Sequence, residues 1–190
     1  MDSFIMRRVS ACALVAVIVC SAVACGPAGT NPSTTTTYTG TFSGQMIVTT
    51  TTGASVCIST RTLNGTVRVT LTQPSSSSNL TGTGVITGTL AETSVIPAAG
   101  CVALQGTTPL NVTRPITGTA TNLAFSSSSA TSPTPIGTGS VTCTDTIVFT
   151  GALVGSAITG TLTYGTACTG SNGISNIAGS GTTAIPVALR

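Results

Sequence analysis

Apolar and polar residues alternate one for one along most of this chain. In "NGTVRVTLTQ", Val67, Val69 and Leu71 share one face, and Thr66, Arg68, Thr70 and Thr72 share the other. That period of two belongs to a strand with one buried face. "YTGTFSGQMIV" groups Tyr38, Phe42, Met46 and Val48 in the same way, and "ITGTLTY" groups Ile158, Leu162 and Tyr164. Similar runs cover 80–90, 108–124, 139–151 and 174–189, with a weaker one near 93–104. The clusters "QPSSSSN", "SSSSATSPTPIGTG" and "GSNG" separate them as turns. No segment after residue 25 carries a helical apolar stripe, and threonine and valine favour strands. The pattern predicts an all-β domain, a single antiparallel meander of seven or eight strands.

Glycine recurs between threonines at Gly40, Gly82, Gly88, Gly118 and Gly160, each time on the face that carries the apolar side chains. A glycine inside a strand lets the sheet coil tightly or another backbone approach. Repeated along inner faces, it favours a small up-and-down barrel over a sandwich. In strand count and meander topology such a barrel resembles the calycins, and that resemblance implies a small apolar ligand inside. The outward face is threonine-rich, and its Thr-Gly-Thr motifs are irregularly spaced, which argues against flat hydroxyl ranks that bind ice or a polysaccharide.

The N-terminus has a different character. Arg7 and Arg8 precede the apolar run "VSACALVAVIVCSAVAC", which has the length of a secretory signal and is too short for a stable transmembrane helix. Its end, Ala22-Val23-Ala24-Cys25, resembles the lipobox of bacterial lipoproteins, with Ala22 where the family usually has Leu. The resemblance implies cleavage after residue 24, acylation of Cys25 and a lipid anchor in the membrane. Gly26 after the cysteine implies outer-membrane sorting in a cell with two membranes. The organisation expected is a signal peptide over 1–24, the lipidated cysteine and a flexible tether over 25–37, and the β domain over 38–190.

Cysteine parity agrees. Of seven cysteines, Cys12 and Cys20 leave with the signal. Lipidation of Cys25 leaves four, an even set for an oxidising compartment. Cys57 and Cys101 flank the "PSSSSN" turn almost symmetrically, as Cys143 and Cys168 flank "GALVGS". Among the three pairings that four cysteines allow, the meander selects Cys57–Cys101 and Cys143–Cys168.

Composition removes most chemistry. The chain has no His, hence no Ser-His-Asp or Cys-His arrangement and no imidazole ligand for a metal. The mature part also lacks Lys and holds two carboxylates, Glu92 and Asp145, on separate elements. No enzyme, cofactor or metal is expected. Arg61, Arg68, Arg114 and Arg190 are scattered, which is no footprint for nucleic acid.

Three charged residues fall on the apolar side of the alternation. Arg61 shares a face with Leu63 and Val67, Arg114 with Leu110, Val112 and Ile116, and Asp145 with Val141, Ile147 and Phe149. Charges on an inner face are costly unless paired. Two readings stand: a polar handle that orients a ligand inside the barrel, or a phase slip, at Pro115 and near Arg61, that lets these side chains reach water. The expected role is that of a non-catalytic envelope lipoprotein with a structural or interaction function, partnered by the membrane and by an envelope protein. The alternative is a barrel that binds a small apolar ligand.

Overall fold

The computed structural model describes residues 33–73, 78–96, 106–130, 133–136 and 138–190, with the side chains of 93–96 and 136 excepted. Nine strands follow one another: β1 (Thr34–Thr52), β2 (Ser55–Gln73), β3 (Asn79–Ile96), β4 (Thr108–Thr119), β5 (Asn122–Ala130), β6 (Thr134–Ile136), β7 (Gly139–Val154), β8 (Ala157–Ser171) and β9 (Asn176–Leu189). Every pairing is antiparallel, and β1–β5 and β7–β9 close into an eight-stranded barrel. The short β6 lies against β7 beyond the end of β5. The barrel predicted from the inner-face glycines is therefore the fold.

Tight hairpins dictate most of the register. Gly53-Ala54 joins Thr52 to Ser55, and Gly155-Ser156 joins Val154 to Ala157. In both two-residue turns the first position is left-handed, with φ of 59° and 62°, a conformation that glycine adopts without steric cost. Closure of β9 on β1 has no such turn. Thr49–Thr52 pair with Ser180–Ile177 at one end, and Thr39 and Arg190 exchange backbone hydrogen bonds of 2.9 and 3.1 Å at the other. Pro186 has the same parity as Arg190, so it faces β1 and has no N–H to donate there. Between the two ends Ile185 seats its side chain 2.5 Å from where a Gly44 Cβ would stand.

That contact shows what the inner glycines do. A Cβ on Gly84 would meet the Phe125 ring, and one on Gly65 would meet the Thr87 carbonyl, the Phe42 ring and the backbone of Gly88. Each glycine is a hole that a neighbouring strand or a large side chain fills. The result is a dense core in which Leu63, Val67, Ile86, Leu90, Phe149 and Leu189 are wholly buried. Phe125 stacks on Phe149 with ring centroids 5.3 Å apart, across the β5–β7 seam.

Several boundaries differ from the sequence expectation. β1 begins at Thr34, so the last residues assigned to the tether are strand, with the Thr35 and Thr37 hydroxyls 3.1 Å from those of Thr72 and Thr70. The 108–124 run is not one strand but a hairpin, turning at Ala120-Thr121 between Thr119 and Asn122. The serine run assigned to a turn is strand: Ser126–Ser129 pair with Val148–Asp145. The β7 edge supplies the partner that local propensity cannot reveal. The outward hydroxyls also align across strands, as Thr35–Thr72–Thr81–Thr117 and Thr41–Thr66–Thr87 do, because pairing sets ranks that the spacing along one strand does not display.

Candidate functional site: a buried polar belt

Arg61 keeps the inward phase of β2. It stands between Ser59 and Leu63 and faces Met46 on β1 and Glu92 on β3. Its side chain has no exposed surface, and that of Glu92 is 7% exposed. Their nearest atoms, Arg61 Nε and Glu92 Oε1, are 4.0 Å apart, an ion pair without a hydrogen bond.

On the other side, Asp145 points inward from β7, opposite Thr166 on β8 and Ser129 on β5. It is buried, as are Thr166 and Ser59. Tyr164, two residues before Thr166, is buried too, and its hydroxyl belongs to the same group. Its ionisation is pushed well above the ordinary tyrosine range by burial first and then by the negative charge of Asp145, while Arg61 opposes the shift. The carboxylate acts on the phenol without strict hydrogen-bond geometry, since the Tyr164 oxygen has no partner. Glu92, Arg61, Tyr164 and Asp145 thus form a continuous polar set inside the barrel.

Around the wall this set separates two apolar regions. The large core lies on one side, and a small cluster of Val141, Cys143, Cys168 and Ile177 lies on the other. One register irregularity adjoins it. Thr60 opposes Ser94 while Arg61 opposes Glu92, so β3 carries one extra residue, Thr93, beside Glu92. Bulges re-aim side chains, and they gather at sites.

Among the described residues, seven buried side-chain atoms have no hydrogen-bond partner, and all belong to this belt: Ser59 Oγ, the three Arg61 nitrogens, Glu92 Oε1, Asp145 Oδ1 and Tyr164 Oη. Leaving one such group unmet costs about 1–3 kcal/mol, more when it is charged. The seven atoms sit on five side chains, whose combined cost is a large fraction of the whole stability of a domain, about 5–15 kcal/mol.

The sequence candidates divide. Arg61 and Asp145 lie in the belt. Arg114 does not: it is exposed, although its neighbour Ile116 is wholly buried. β5 pairs with β4 only over Thr117–Thr119, so Arg114 lies beyond that seam and reaches water, although Leu110 further along β4 is buried. The two carboxylates that the sequence assigns to separate elements both turn inward, to either side of Arg61 and Tyr164. Glu92, Tyr164 and Ser59 were missed as site residues. Glu92 had a signal, since it shares parity with Leu80, Ile86 and Leu90 on β3. Tyr164 looked like core because only its oxygen is polar.

Cys143 and Cys168 are directly opposed on β7 and β8 and form a disulfide, with Cα atoms 3.9 Å apart. Cys57 is disulfide-bonded as well, while Cys101, its expected partner, lies outside the described residues, as does the expected lipidation site Cys25.

No protein-family model, curated protein or solved structure matches this chain.

Proposed function

We propose that this chain is a non-catalytic lipoprotein of the cell envelope, anchored through Cys25, whose barrel serves a structural or interaction role. The observation that carries this reading is the interior. Phe42, Met46, Leu63, Phe149 and Leu162 fill it at 0–4% exposure. The depression at the barrel end lined by Thr34, Tyr38, Leu80 and Leu153 holds about 60 Å3, against the ~300 Å3 or more that a drug-sized ligand occupies. Oxidised cysteines at positions 57, 143 and 168 support a place outside the reducing cytoplasm. With the lipid on Cys25, eight residues separate the anchor from the first residue of β1, a short leash that holds the barrel close to the membrane.

Metabolic labelling with palmitate tests the anchor. The wild-type chain takes up label and fractionates with outer membranes, and Cys25→Ser takes up none. An unlabelled wild-type protein with a titratable thiol at Cys25 refutes the reading.

A second reading, a barrel that holds a small ligand, is favoured by the orphaned atoms of the belt. Native mass spectrometry of the protein from its own host tests it through the presence or absence of a co-purifying mass.

A further inference from the structure

We infer that the belt is a binding site for a small neutral molecule that both accepts and donates hydrogen bonds, such as a polyol or an amide. The inference rests on the second reading above and does not depend on the anchor. It follows from an inventory of what the orphaned atoms require.

Arg61 presents three buried nitrogens without hydrogen-bond partners, a planar fork of N–H donors that calls for oxygen acceptors. Glu92 Oε1 and Asp145 Oδ1, also orphaned, call for O–H or N–H donors. The Tyr164 and Ser59 hydroxyls can serve either need.

Charge narrows the class. Arg61 is the one cation in the belt, which also holds two carboxylates, Glu92 and Asp145. An anionic ligand would add a third negative group to a buried site, where like charges cost most. An apolar ligand would leave all seven atoms unmet. A cation would satisfy the carboxylates and leave the guanidinium fork without acceptors. A neutral molecule carrying both C=O or C–O acceptors and O–H or N–H donors meets both sides. Water shares this chemistry, so the test must separate a ligand from trapped solvent.

The bulge in β3 fits the same purpose, since it falls beside Glu92 and re-aims the strand there.

The experiment uses the full oxidised chain, with the Arg61 Nε–H resonance assigned through its loss in Arg61→Met. Acetamide and glycerol are titrated as neutral probes, formate as an anion and benzene as an apolar probe. The inference expects a saturable shift of that resonance with a neutral probe and none with formate or benzene. Tyr164→Phe, which keeps the ring and removes one hydroxyl, weakens that binding about three- to tenfold, one hydrogen bond's worth. Ser59→Ala acts in the same direction, so the test survives if Arg61→Met fails to fold. Saturable binding of benzene alone overturns the polar class and leaves a ligand-binding barrel standing. No response to any probe, with the Arg61 proton in contact with water only, overturns both, and the belt is then hydrated structure.

Discussion

Replacing both partners of the Arg61–Glu92 pair should cost less than the two single replacements added together. Arg61 is wholly buried and the Glu92 side chain nearly so, at 4.0 Å. At that distance an effective dielectric near 20 gives a gross attraction of about 4 kcal/mol. Most of it offsets the loss of hydration when both ions leave water. The net worth of the pair is therefore small, whereas a lone buried ion has nothing to offset its burial. Glu92→Gln, which keeps the shape, should lower stability by about 3 kcal/mol, and Arg61→Met by about 3–5 kcal/mol. The double variant Arg61→Met/Glu92→Gln should be less damaged than the sum of the singles by about 2 kcal/mol or more, a coupling expected of residues in contact. Equilibrium urea unfolding of the oxidised protein measures this, with an unchanged m-value showing that the same surface is exposed in each variant. Single losses below about 1 kcal/mol, or additivity within ~0.5 kcal/mol, would mean that the two groups are solvated and that the belt is not the buried site described.

Three further outcomes are expected. The raised ionisation of the Tyr164 phenol in the folded barrel makes its contribution complete below the unfolded tyrosine value of about 10 and progressively lost above it, at up to ~1.4 kcal/mol per pH unit. In a Tyr38→Phe background the absorbance at 295 nm should therefore rise only with unfolding, and a reversible phenolate transition near pH 10 in folded protein would contradict the burial. Removing the Cys143–Cys168 disulfide as a double serine variant opens a loop with a sequence separation of 25 and should cost about 3.5 kcal/mol by loop-closure entropy, read as a lowered urea midpoint. Gly65→Ala puts a methyl against the Thr87 carbonyl and the Gly88 backbone, groups with no free rotamer. It should cost about 1–3 kcal/mol or more by urea unfolding, whereas Gly106→Ala, with nothing within 4 Å, should be neutral in the same assay.

Strand identity, the inner face and the pairing of Cys143 with Cys168 were all legible in the chain because each depends on local order. Alternation assigns a face with a period of two, and tight turns make neighbours in sequence neighbours in the sheet. Thus Val67, Val69 and Leu71 lie inside, and the two cysteines placed symmetrically about Gly155-Ser156 meet. Inner-face glycines likewise announced a tightly coiled barrel, since a missing side chain is useful only where something else fills the space.

What the pattern does not contain is which strands stand opposite one another. Parity placed Arg61, Arg114 and Asp145 on the same nominal face, yet the wall covers two of them and leaves Arg114 in water, because β5 departs from β4 after three pairs. The register of β9 on β1 has no turn to set it and is established by Ile185 over Gly44 and by the Thr39–Arg190 bonds. The convergence of Glu92, Arg61, Tyr164 and Asp145 needs β2, β3, β7 and β8 wrapped into one ring, with a bulge beside Glu92. Face and element follow from short-range sterics and solvation, which one strand carries by itself. A site made of polar groups from four strands is a property of closure, and only the folded barrel brings it into being.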